Sequence, residues 1–149
     1  MGGGEIMTLI THTIVGLGLS AIAPQHAPTM WVAFSILPDI DHIASIKQWR
    51  FKVGGFRSSR TVLHELLGAV IWALIGLLLA FWNISIASVY LVSISVHLFL
   101  DFISGYSVPF RGIGNEQSVD FGESIYLRIA QEIAIDLISL LAFVSRYWL

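Results

Sequence analysis

Five apolar runs separated by short polar breaks organise the chain. The first, 6–23, is interrupted only by Thr, Ser and His12, and a turn from Pro24 to Pro28 follows it. A shorter run, 29–40, ends in Leu37-Pro38-Asp39-Ile40-Asp41-His42, where the proline and the acids stop or bend a helix near an interface. Lys47 to Arg60 form a basic loop with Gly54 and Gly55. The strongest run, 61–82, has no charge after Glu65, which predicts a transmembrane helix. Asn83 turns the chain back into 84–104, a second full span that carries His97 and Asp101 and pairs antiparallel with the first. Residues 105–122 are rich in Gly, Ser and polar side chains, the pattern of a lid or re-entrant loop. A last helix, 124–144, contains Arg128, Gln131, Glu132 and Asp136.

Composition changes the solvent. Hydrophobic residues make up 56% and charged residues 12% of 149 positions, about half the charge of a soluble domain, and mean hydropathy is +0.79. The predicted fold is therefore all-α, a polytopic membrane helical bundle of about four to five transmembrane helices. Residues 1–5 are predicted to be a flexible leader or an expression scar, and 6–149 a single transmembrane domain. The only charge before Ile6 is Glu5, which argues against a signal peptide and for retention of the first run. The absence of cysteine excludes disulfides, thiolate metal sites and a Cys nucleophile. A net charge of −2 gives no polyanion footprint, so direct nucleic-acid binding is not expected. Lys47, Arg50, Lys52, Arg57, Arg60 and Arg111 fall on one side of the predicted topology and only Arg146 on the other. By the positive-inside rule that basic side is cytoplasmic, giving a multi-pass protein of the cell's inner (plasma) membrane. The five Trp, with Tyr147-Trp148, read as interfacial anchors.

The same topology brings the titratable residues to one leaflet. His12 lies about 9 Å inside the basic side at 1.5 Å per residue; His64 begins the third helix, His97 and Asp101 end the fourth, and Asp39, Asp41 and His42 close the second. Ionisable groups at membrane depth are costly enough to signal a site. His97 and Asp101 stand i, i+4 on one helix face, the spacing that presents two ligands to one cation. Carboxylate oxygens mixed with imidazole nitrogens suit Zn, Mn or Fe, and a set this large can hold one ion or two. The bland alternatives are a packing histidine at His12 and solvated helix-end acids at Asp39 and Asp41. His26, in the opposite turn, reads as solvated and unrelated to the site. Arg128, Glu132 and Asp136 recur every four residues, a polar stripe facing the bundle interior. An Arg128–Glu132 ion pair beside a neutral Asp136 is one reading of it, and support of the metal ligands is the other.

At these residues the chain resembles the membrane-bound metal-dependent hydrolase family, also described as LexA-binding, inner-membrane-associated hydrolases. The resemblance runs through His12 with Gly16, the Leu37-to-His42 signature, Arg60 to His64, and His97-Leu-Phe-Leu-Asp101 followed by Gly105 and Pro109-Phe110. Where that family carries a His before the Arg and Thr-His-Ser after it, this chain has Ser59-Arg60 and Leu63-His64-Glu65. The resemblance implies a metal site near the cytoplasmic leaflet from His12, Asp41, His42, His64, His97 and Asp101, and a hydrolase activity.

The expected function is hydrolysis of a phosphoester, such as a phospholipid headgroup, by metal-activated water, with Zn the first candidate and Mn or Fe the others. Asp39 or Glu65 would take the proton, and Arg57, Arg60 and Arg111 would hold the phosphate. Membrane lipids and such a substrate are the expected partners; a protein partner is left open. The alternatives are an ion or proton transporter, a haem protein ligated by His12 and His97, and a non-catalytic interaction protein stabilised by metal.

Overall fold

The structure, a computed structural model, describes residues 9–40, 66–103 and 125–149. Five α-helices and one 3₁₀ turn account for nearly all of them: α1 (Leu9–Ile22), α2 (Pro28–Ile36), the turn Leu37–Asp39, α3 (Leu66–Trp82), α4 (Ile84–Ile103) and α5 (Ile125–Tyr147). No strand occurs among the described residues.

Local chemistry sets the breaks. Pro28 opens α2 at a position where its missing N–H is not needed, after Ala27 in an extended conformation. Pro38 then tightens the end of α2 into the 3₁₀ turn, which closes with the Ile40 N–H donating to the Leu37 carbonyl. Between α3 and α4 one residue suffices. The Asn83 N–H donates to the Leu79 carbonyl at 2.7 Å, while its side-chain oxygen accepts from the N–H groups of Ser85 and Ile86 at 3.0 and 3.1 Å. Asn83 thus ends one helix and caps the next. His26 meets the Ser85 hydroxyl at 2.6 Å in an exposed contact that ties the first turn to the start of α4.

The helices pack in the order α5, α1, α2, α4, α3, with α3 resting chiefly on α4. Contacts fix their directions. Thr11 meets Glu132, a Cβ on Gly18 would meet Ser139, and the Tyr147 hydroxyl donates to the Ser20 carbonyl at 3.1 Å, so α1 and α5 run parallel. α1 and α2 are joined by the short turn 23–27 and meet at Gly16 against Val32 and Ser35, and α3 and α4 are joined by Asn83 and meet at Gly76 against Leu91; α2 and α4 therefore run opposite to α1 and α3. The starts of α1 and α5 and the ends of α2 and α4 gather at one end of the bundle.

The interior mixes polar and apolar side chains, while many large apolar side chains face outwards. Thr11, His12, Ser20, Ser35, Ser93, His97, Asp101 and Glu132 are buried, beside a compact cluster of Trp72, Tyr90 and Ile94. Leu78 (70% exposed), Phe81 (92%), Ile138 (67%) and Leu141 (67%) face outwards. In water so much exposed aliphatic surface would mark an aggregation or docking patch. Ile84–Phe102 is, among the described residues, the one stretch both long and apolar enough to cross a bilayer; Leu9–Ile22 and Leu67–Trp82 are apolar but shorter.

Candidate metal centre

At the gathered end, α1 supplies His12, α4 supplies His97 and Asp101, and the 3₁₀ turn supplies Asp39. The imidazoles of His12 and His97 stack with centroids 3.8 Å apart and planes at 23°. His12 Nε2 lies 3.5 Å from Asp101 Oδ1. His97 Nε2 lies 3.6 Å from Asp101 Oδ2 and 3.7 Å from Asp39 Oδ1. One ligand atom from each of His12, His97 and Asp101 fits within 4.8 Å of the others, and all three residues are buried.

Hydrogen bonding assigns the tautomer of His97. Its Nδ1 stands 2.6 Å from the Ser35 carbonyl oxygen, an acceptor only, so Nδ1 carries the proton and donates it. In the neutral ring this puts the lone pair on Nε2, directed towards two carboxylates. Separations of 3.5–3.7 Å exceed the N–H···O range of about 2.7–3.2 Å. They approach the spacing of about 3.3 Å between two ligands on a tetrahedral ion with bonds near 2.0–2.1 Å. Lone pair against carboxylate at such distances is the arrangement a cation resolves. The donor set of two imidazoles and one or two carboxylates therefore fits a divalent ion.

Beyond this cluster, α5 contributes a polar contact to α1. The Thr11 hydroxyl donates to Glu132 Oε1 at 2.7 Å and lies 3.4 Å from Asp136 Oδ2. Thr11 precedes His12, so this contact holds the turn of α1 that presents the imidazole. Thr11→Val, which keeps the shape and removes the donor, is expected to lower unfolding stability in detergent by about 1 kcal/mol, the scale of interhelical hydrogen bonds in membranes. Denaturant titration in mixed micelles measures it.

Of the residues singled out in the sequence, His12, His97, Asp101 and Asp39 are brought together. Glu132 and Asp136 sit one helix away, against Thr11. Asp41, His42, Arg57, Arg60, His64, Glu65 and Arg111 lie outside the described residues, as does the Arg128 side chain. Two contributors carried no chemical signature in the sequence: the Ser35 carbonyl, found through its contact with His97 Nδ1, and Thr11, found through its contact with Glu132.

Residues 7–111 match the family model described as YdjM inner membrane protein. That segment includes His12, Asp39, His97 and Asp101 and stops before α5. Neither the curated proteins nor the solved structures contain a match to the chain. The family's description names a membrane location and no reaction, so the resemblance to inner-membrane hydrolases is carried as far as the membrane. On a match covering well over half of its length, the chain belongs to the YdjM inner membrane protein family.

Proposed function

We propose that this protein is a multi-pass, metal-dependent hydrolase of the inner membrane, acting on a phosphoester such as a phospholipid headgroup. The observation that carries the reading is the buried group of His12, His97 and Asp101, with ligand atoms mutually within 4.8 Å. Outward-facing Leu, Ile and Phe on α3 and α5 support a lipid surround. The alternating helix directions support repeated crossing. The basic loop 47–60 and Arg111 favour a cytoplasmic position for the site end.

His12, His97 and Asp101 would hold the ion, with Asp41, His42 and His64 as further candidates for the same or a second ion. Zn is the first choice and Mn or Fe the others. When bound, a divalent cation acidifies a water and polarises a phosphoryl oxygen. Asp39, whose Oδ1 is 3.7 Å from His97 Nε2, would serve as general base, taking a proton from the attacking water as the new P–O bond forms. The ester P–O bond then breaks, and Asp39 returns the proton to the leaving oxygen. Glu65 is the second candidate for this role. Arg57, Arg60 and Arg111 are the candidates for binding the phosphate.

The test is elemental analysis of the full chain purified in detergent without chelator, followed by assay on phospholipid vesicles and a chromogenic phosphodiester. The expected result is one or two equivalents of Zn, Mn or Fe, no haem absorbance, and phosphoester cleavage that EDTA abolishes. No bound metal after supplying all three ions removes the metal centre. Bound metal without cleavage removes the phosphoesterase.

A further inference from the structure

The imidazole of His97 is held by a backbone atom of α2, and that atom's position depends on how closely α2 approaches α1. The two helices approach closely at Gly16, one helical turn after His12. A Cβ at Gly16 would lie 2.9 Å from Val32 Cα, 3.1 Å from Val32 N and 3.0 Å from Ser35 Oγ. Two of these atoms are backbone, so α2 itself would have to move. The Ser35 residue touched from one side is the residue whose carbonyl accepts the His97 Nδ1 proton on the other. Ser35 Oγ is buried with no hydrogen-bond partner among the described residues; of the contacts described, the one to His97 is made by the backbone oxygen.

Resting on the metal-centre reading, we propose that Gly16 is a positioning residue for the metal ligand His97. By letting the α2 backbone seat against α1, it sets the Ser35 carbonyl on His97 Nδ1 and so aims the Nε2 lone pair at the cation position. Groups that orient a ligating histidine in this way are worth about 10–100-fold in metal affinity.

The experiment is a Zn²⁺ and Co²⁺ titration of the detergent-solubilised full chain. Gly16→Ala is expected to bind 10–100-fold more weakly, with a changed Co²⁺ ligand-field spectrum. Gly18→Ala is the control: its Cβ would meet Ser139 Cβ at 2.7 Å and Cα at 2.8 Å, slightly tighter crowding directed at α5. Wild-type affinity in Gly16→Ala, or an equal loss in Gly18→Ala, overturns the proposal. If Gly16→Ala fails to fold, imidazole ¹⁵N shifts of metal-free wild type decide. A neutral ring protonated on His97 Nδ1 supports the proposal, and a proton on Nε2, alone or together with Nδ1, overturns it. Failure of wild type to bind either ion would instead sink the metal-centre reading, and the tautomer measurement tells the two failures apart.

Discussion

Replacing His97 by alanine, or Asp101 by asparagine, is expected to lower affinity for a divalent cation by about a hundredfold. Where a four-ligand Zn²⁺ site is worth about 10–16 kcal/mol, one ligand carries about 3 kcal/mol, and each 1.4 kcal/mol is a factor of ten. The two substitutions fail for different reasons. His97→Ala removes a nitrogen whose lone pair is already directed by the Ser35 carbonyl, and it also deletes the ring stacked on His12. Asp101→Asn keeps the volume and removes the charge, so loss of metal there cannot be laid on a cavity. Thermal unfolding gives a second readout. An ion present at 100 times its dissociation constant stabilises the folded state by about 2.7 kcal/mol, whereas the same concentration against a hundredfold weaker site adds about 0.4 kcal/mol. Wild type should therefore melt higher with metal, and both variants should hardly respond. A metal-dependent shift that survives in Asp101→Asn would mean that the ion binds elsewhere.

The residues that proved to be neighbours were legible for a definite reason. His97 and Asp101 share a helix face by the 3.6-residue period alone, and His12 reaches them because a fixed rise per residue converts position in an apolar run into depth. Asp39 was ambiguous between ligand and solvated helix end. What turns it towards His97 is the 3₁₀ turn at Leu37–Asp39, where one tighter step rotates the side chain relative to an α-helical continuation. The outward-facing aliphatics follow from a composition with too few charges to coat a surface.

Less legible was which helix lies beside which. Chain order suggests neighbours in sequence, yet α1 sits between α2 and α5. The polar stripe of α5 faces α1 through Thr11, a residue whose type carries no signal of its own. The Ser35 carbonyl is harder still, since every residue has one and only packing selects which is used. Gly16 was visible as part of a motif, but its role needs the packing to be seen, with Val32 Cα 2.9 Å from where a Cβ would stand.

Tyr90→Ala is expected to be the most destabilising single change away from the metal ligands, by about 3 kcal/mol, whereas Tyr90→Phe should be neutral or slightly stabilising. Tyr90 is 1% exposed and packs with Trp72 of α3 and Ile94 of α4. Its ring also stands edge-on to Phe34 of α2, with centroids 5.3 Å apart. One ring thus joins three helices. In lipid there is little gain in removing apolar surface from solvent, so what the alanine loses is dispersion contact around the empty volume. The hydroxyl is a separate matter, because it is buried without a hydrogen-bond partner among the described residues, and deleting it removes a desolvated polar group. Because Phe34 immediately precedes Ser35, the cavity in Tyr90→Ala should also loosen the carbonyl that orients His97, so metal affinity should fall along with stability. Tyr90→Phe should retain both. Denaturant titration in mixed micelles, paired with a Zn²⁺ titration, separates these outcomes; equal destabilisation by Phe and Ala would show that the hydroxyl holds the helices together instead of the ring.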